Sequence, residues 1–99
     1  LLRLSSSLAR LRVMNQFTPE QLRELLVICP QDVTEGMAAV LAVRSQQTVV
    51  LDLTSMENVQ AQRTADFVSG GVRAVDGKEH RLGEHVFLFT PAGVQVTLN

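Results

Sequence analysis

Four turn signals crowd the second half of this chain: Gly70-Gly71, Asp76-Gly77, Gly83-Glu84 and Ala92-Gly93. Turns this close together leave room only for short strands. The runs between them are rich in Val and Phe, the residues that suit a half-buried pleated surface. The spacing predicts strands over 72–75, 79–82, 86–90 and 94–98, with Asp76-Gly77 as a tight hairpin turn. Upstream, Ser55 can cap a helix from about Met56 to Ser69, and Gly70-Gly71 stands where such a helix would stop.

The first half reads as strand, helix, strand. Thr18-Pro19-Glu20-Gln21 is a helix start with a capping box. Glu24 to Cys29 is an apolar run closed by Pro30. A helix could run on through it to about residue 28, but Val27 and Ile28 favour a strand. Asp32 and Glu35 have capping-box spacing, and Val33, Met37, Val40 and Leu41 form an apolar stripe behind them. Residues 48–53, Thr-Val-Val-Leu-Asp-Leu, make the next strand. The order predicts an α/β sandwich with two helices on one face of a mixed or antiparallel sheet of about five strands. Residues 1–18 form an N-terminal segment and residues 19–99 the core domain.

The helix over 56–69 is apolar on two sides. Met56, Val59 and Phe67 lie on one, and Ala61, Ala65 and Val68 on the other. Such a helix is either deeply buried or covers the sheet while meeting a partner chain. On the second reading Ala61 and Ala65 are candidate contacts for a polymer. The sheet face away from the helices carries apolar residues, among them Val72, Val86 and Leu88, and an uncovered apolar face marks a dimer interface.

Function classes narrow by composition. Aromatics are limited to four Phe, and the net charge is −1. Neither stacking platforms nor a basic surface for nucleic acid is present in that balance. The charge is uneven, however. Residues 1–18 hold Arg3, Arg10 and Arg12 and no acid, whereas residues 19–99 hold six basic and ten acidic residues. Leu1, Leu4, Leu8 and Leu11 fall on one helical stripe with the arginines off it. That pattern suits a membrane surface, with leucines at the acyl boundary and arginines at anionic headgroups. It also suits docking within the chain or on another copy. There is no signal-peptide pattern, and the chain opens on Leu, as a piece of a longer protein would.

Chemistry-bearing residues are few. Cys29, the one cysteine, cannot form an internal disulfide. With His80 and His85 it has neither the spacing of a zinc site nor anything that selects a nucleophile and base, so it reads as a small buried apolar residue. Gly70-Gly71 lacks the lysine of a phosphate loop. No catalytic, cofactor or metal residue is expected. Arg63 and Asp66 stand three apart, close enough to pair on a helix surface.

In order along the chain, the run from Leu25 to Pro30, the helix from Val33, the strand over 48–53, Gln62-Arg63, Asp66-Phe67, Ser69-Gly70, Gly77, Arg81, Gly83, Phe87-Leu88, Thr90-Pro91 and Val94-Gln95-Val96 resemble the core of SepF, a bacterial cell-division protein family. The stretch from Phe87 to Pro91 is most similar to cyanobacterial members. Arg73 and Glu79 depart from the pattern, which favours an aromatic and an apolar residue there. The resemblance implies a non-enzymatic protein without cofactors. Such a protein binds the C-terminal tail of the tubulin-like protein FtsZ, forms homodimers and polymers, and holds the division ring at the cytoplasmic face of the plasma membrane. It implies that Arg81 and Phe87 receive the tail, and that Gly70 and Gly71 allow close approach within the dimer. The competing class is a small dimeric regulatory domain that binds a small ligand, since a fold alone excludes neither. An FtsZ tail peptide binds only under the first reading.

Overall fold

The computed structural model describes residues 25–94. Strand β1 is Leu25–Ile28; a 3-10 turn over Thr34–Gly36 leads into helix α1, Met37–Arg44; strand β2 is Thr48–Asp52; helix α2 is Asn58–Ala74; strands β3 and β4 are Lys78–Arg81 and Val86–Thr90. The sheet order is β1-β2-β4-β3. β1 runs parallel to β2, and β4 is antiparallel to both β2 and β3. The result is the expected pair of helices on a mixed sheet, with four strands among the described residues instead of about five.

Local chemistry explains each boundary. Pro30 has no N–H to continue the β1 ladder. Asp32 Oδ1 accepts the Glu35 N–H at 2.8 Å, and Glu35 Oε1 accepts the Gln31 N–H at 2.7 Å. That is a capping box whose return bond falls one residue early, so the first turn tightens into the 3-10 segment. α1 ends in a Schellman motif: Gln47 N–H bonds Ala42 O at 2.9 Å and Gln46 N–H bonds Val43 O at 3.0 Å, with Gln46 left-handed at φ 72°.

The largest departure from expectation concerns α2. It begins at Asn58, not Met56, with no side-chain cap. It then runs through Gly70-Gly71 to Ala74, so 72–75 is not a strand and the glycine pair is not a helix stop. Termination comes from a second Schellman motif, in which Gly77 N–H bonds Val72 O at 2.8 Å and Asp76 N–H bonds Arg73 O at 3.0 Å. Asp76 takes the left-handed position at φ 63°. Asp-Gly is therefore a helix exit here, not a hairpin turn, because Asp tolerates that conformation as readily at a helix end as in a turn. Gly71 serves packing: a Cβ there would stand 2.6 Å from Val40 Cγ2, so its absence lets α2 close on α1.

The α1 stripe also differs. Ala39, Val40, Ala42 and Val43 are buried, while Met37 and Leu41 are 42% and 47% exposed. On α2 the buried positions, Ala61, Thr64, Ala65, Val68 and Val72, fall on one face. The other apolar side is open, with Val59 56% and Phe67 40% exposed. Small residues on the buried faces let both helices lie close on Ile28, Val49, Leu51, Leu53, Phe87 and Phe89 of the sheet side.

Strand residues alternate between faces. Val27, Cys29, Val50, Val86 and Leu88 form a second cluster on the sheet face away from the helices, with Leu25 and Leu82 packed against it. Val86 and Leu88 are fully buried within the single chain, and Val72 belongs to α2 on the other side. The open apolar face expected at Val72, Val86 and Leu88 is thus not exposed. The expected strand over 94–98 and the whole leucine stripe lie outside the described residues, save Val94, which follows a turn.

Candidate functional site

The β3–β4 register places Arg81 directly opposite Phe87. Both face the helix layer, beneath the polar side of α2. The Arg81 guanidinium carbon lies 5.3 Å from the centre of the Phe87 ring, within cation–π range. Its Nε donates to Gly83 O at 3.1 Å and its Nη2 to Glu84 O, so the arginine also braces the hairpin loop. Phe87 is 5% exposed and stacks on Phe89 with ring centres 6.1 Å apart. Phe87 is therefore a core residue whose ring also forms part of a cavity wall.

That cavity, about 260 Å³, lies between α2 and the β3–β4 hairpin. Ala61, Ala65 and Phe87 lie buried at its base, so the surface it offers is mostly polar. Gln62, Asp66, Ser69 and Arg73 line it from the helix, and Glu79, Arg81, Glu84 and His85 from the strands and loop. Gln62 Nε2 donates to Asp66 Oδ1 at 2.9 Å, and Ser69 Oγ donates to Glu79 Oε1. His85 Nε2 meets Asn58 Oδ1 at 3.2 Å, tying the hairpin loop to the start of α2. A mostly polar cleft with cations and carboxylates around it suits a short peptide segment with charged and polar side chains.

The sequence-predicted residues separate accordingly. Arg81 and Phe87 meet at this cavity, and Gly70 also borders it. Gly71 faces α1 instead. Ala61 is fully buried and Ala65 nearly so, both in the core beneath α2; the exposed apolar residues of that helix are Val59 and Phe67. Asp66 is bonded to Gln62, the residue before Arg63. Arg73 and Glu79, the two departures from the family pattern, both line the cavity. Sequence reasoning missed Gln62, Ser69, Glu84 and His85. The helical members had a signal: 62, 66, 69 and 73 step by four, three and four, a polar stripe on one helix face.

Among the described residues no metal cluster competes with this site. Cys29 follows β1 at one edge of the sheet and His80 lies on β3 at the other. Three strand spacings, about 14 Å, separate those edges. Among the described residues no group of His, Cys, Asp and Glu is arranged to hold a metal ion, and no helix is long and apolar enough to cross a membrane.

Comparison with known proteins agrees with this architecture. Residues 25–96 match the family model described as cell division protein SepF. The chain is 50% identical over 74 residues to the cell division protein SepF of Synechococcus elongatus, covering 75% of this chain and 39% of that protein. It is 50% identical over 74 residues to the SepF of Trichormus variabilis, covering 75% and 37%, and 49% identical over 73 residues to that of Trichodesmium erythraeum, covering 74% and 35%. The chain thus spans less than half the length of these relatives, and the match lies on the core that builds the cavity. On that match the chain belongs to the SepF family, whose members are cell-division proteins and not enzymes.

Proposed function

We propose that this chain serves cell division by holding the C-terminal tail of FtsZ in the cavity between α2 and the β3–β4 hairpin. The carrying observation is the pairing of Arg81 with Phe87 at the cavity wall. Arg81 meets the acidic groups of the peptide at the rim, and the polar lining takes its backbone and polar side chains. Glu79 and Arg73 tune which residues of the peptide are accepted.

Self-association belongs to the same proposal. Among the described residues the large exposed apolar ones, Met37, Leu41, Val59 and Phe67, all lie on the helix layer, so that layer is the surface for a homodimer and for further growth into a polymer. Gly70 is exposed on it, with open space where a Cβ would stand, and so permits a close approach there. Many weak tail contacts on such an assembly add through avidity, and together they help tether the division ring at the cytoplasmic face of the plasma membrane. Leu1, Leu4, Leu8 and Leu11 with Arg3, Arg10 and Arg12, or sequence beyond this chain, supply the membrane contact.

Titration calorimetry of an FtsZ tail peptide tests the reading. The parent chain binds, and Arg81→Glu weakens binding while leaving the circular dichroism spectrum unchanged. A parent chain that fails to bind the peptide overturns it.

A further inference from the structure

We infer, resting on the tail-binding reading above, that Arg73 is a second anchor of the cleft between α2 and the β3–β4 hairpin. It grips a carboxylate of the bound peptide about four residues along from the one that Arg81 meets.

The two arginines of the cleft differ in how far their donors are engaged. Arg81 donates through Nε to Gly83 O and through Nη2 to Glu84 O, and its guanidinium lies over the Phe87 ring. It draws acidic groups toward the hairpin but is itself held in place by the protein. Arg73 stands in the last turn of α2, is exposed, and lines the same cleft. Its side chain makes no hydrogen bond or ion pair with another described residue. All the N–H donors of its planar fork are therefore open to a ligand, and a guanidinium in that state bonds a carboxylate through two parallel contacts. Two carboxylates of the cleft already accept bonds from neighbours: Gln62 Nε2 donates to Asp66 Oδ1, and Ser69 Oγ to Glu79 Oε1.

The fold sets the spacing of the two anchors. α2 passes into β3 through the short turn at 75–77, so helix and strand run in opposite directions. The Ser69–Glu79 bond places those two residues at one level of the cleft. Arg73 lies one helical turn beyond Ser69, about 6 Å toward the end of α2. Arg81 follows Glu79 along β3 on the same side of the sheet, about 7 Å the other way. The arginines thus stand about 13 Å apart along the cleft, the span of about four residues in an extended peptide. Glu79 lies between them and repels an acid at the middle position. The ligand is an extended segment whose two outer carboxylates meet Arg73 and Arg81 and whose centre is not acidic.

Titration calorimetry with an FtsZ tail peptide tests this on the whole chain, on Arg73→Gln, on Arg73→Lys and on Arg81→Gln, with thermal melts to confirm folding. Each titration is repeated with peptides in which one Asp or Glu side chain, or the terminal carboxylate, is turned into an amide. Arg73→Gln should bind about tenfold more weakly, and Arg73→Lys should recover part of that loss. One amide change should weaken the parent but not Arg73→Gln, and it names the carboxylate as a side chain or the chain end. A different amide change, about four residues away, should be silent in Arg81→Gln. A folded Arg73→Gln chain that binds like the parent overturns the inference while tail binding stands. So does a loss in Arg73→Gln that couples to no carboxylate of the peptide, which makes Arg73 a structural part of the helix end. Coupling of both arginines to one carboxylate, or to adjacent ones, overturns it as well. A parent chain that does not bind the peptide removes the tail reading and this inference together. Should Arg73→Gln fail to fold, Arg73→Lys decides by the same comparison.

Discussion

At the level of single residues, Phe87 and Arg81 share one site but differ in kind. Phe87 is in the core, stacked on Phe89, and Phe87→Ala should cost about 3–5 kcal/mol of folding stability, read by urea denaturation. Phe87→Leu keeps apolar volume while removing the ring under Arg81. Its loss of stability should be under about 1.5 kcal/mol, so a fall in tail binding by this variant reports on the site and not on the fold. Arg81 is exposed. Arg81→Glu loses the bonds to Gly83 and Glu84 and should lower the melt modestly while the domain stays folded, slow association with the tail peptide in stopped flow, and reduce the salt dependence of the remaining rate. An Arg81→Glu protein that associates at the parent rate places the acidic part of the peptide elsewhere. The sequence singled out both residues through the family resemblance; spacing alone did not. Arg81 and Phe87 are six apart in the chain, and only the antiparallel register sets one opposite the other.

Among the elements, α2 carries the most consequence. Its adjacent glycines have opposite roles, and substitution should separate them. Gly71→Ala adds a methyl 2.6 Å from Val40 Cγ2, and overpacking of that kind costs about 1–3 kcal/mol, more than the roughly 1 kcal/mol that Ala gains over Gly in a helix. Gly70→Ala meets nothing within 4 Å and should stabilise the monomer by about 0.5–1 kcal/mol. Thermal melts at low protein concentration distinguish the two, and a Gly71→Ala protein more stable than the parent would mean that the helices part freely. The glycines looked like a helix stop because Gly lowers helix propensity. Two things overrode that preference: the contact with α1, and an exit motif further on at Asp76-Gly77.

For the whole molecule, self-association is expected to depend on the helix layer. Phe67→Glu should shift sedimentation toward monomer at concentrations of tens of micromolar, an order of magnitude set by ordinary interface affinities, with the spectrum of the folded domain retained. An unchanged distribution would exclude α2 as the contact. A charge at Ala61 or Ala65 is not an equivalent test, since both alanines are buried against the sheet and a charge there disturbs the core.

Local chemistry written in the sequence was enough for the two helices and the four strands of the described sheet, but not for 72–75, expected as a strand and found at the end of α2. Apolar runs closed by Pro30, the Asp32–Glu35 cap, the 83–84 turn and the family pattern all act over a few residues, and they led to two helices on a mixed sheet. Burial was decided in tertiary space. Met37 and Leu41 belong to an apolar stripe yet face outward, because Ala39, Val40, Ala42 and Val43 fit closer to the sheet and to α2. Ala61 and Ala65, candidate polymer contacts by their place on one apolar side of the helix, line the core instead, since only small side chains let α2 lie that near Phe87. The cavity likewise exists only once α2 has crossed from β2 to β3 with β4 inserted between them. Its residues come from stretches separated along the chain, and the sequence records no distance between them.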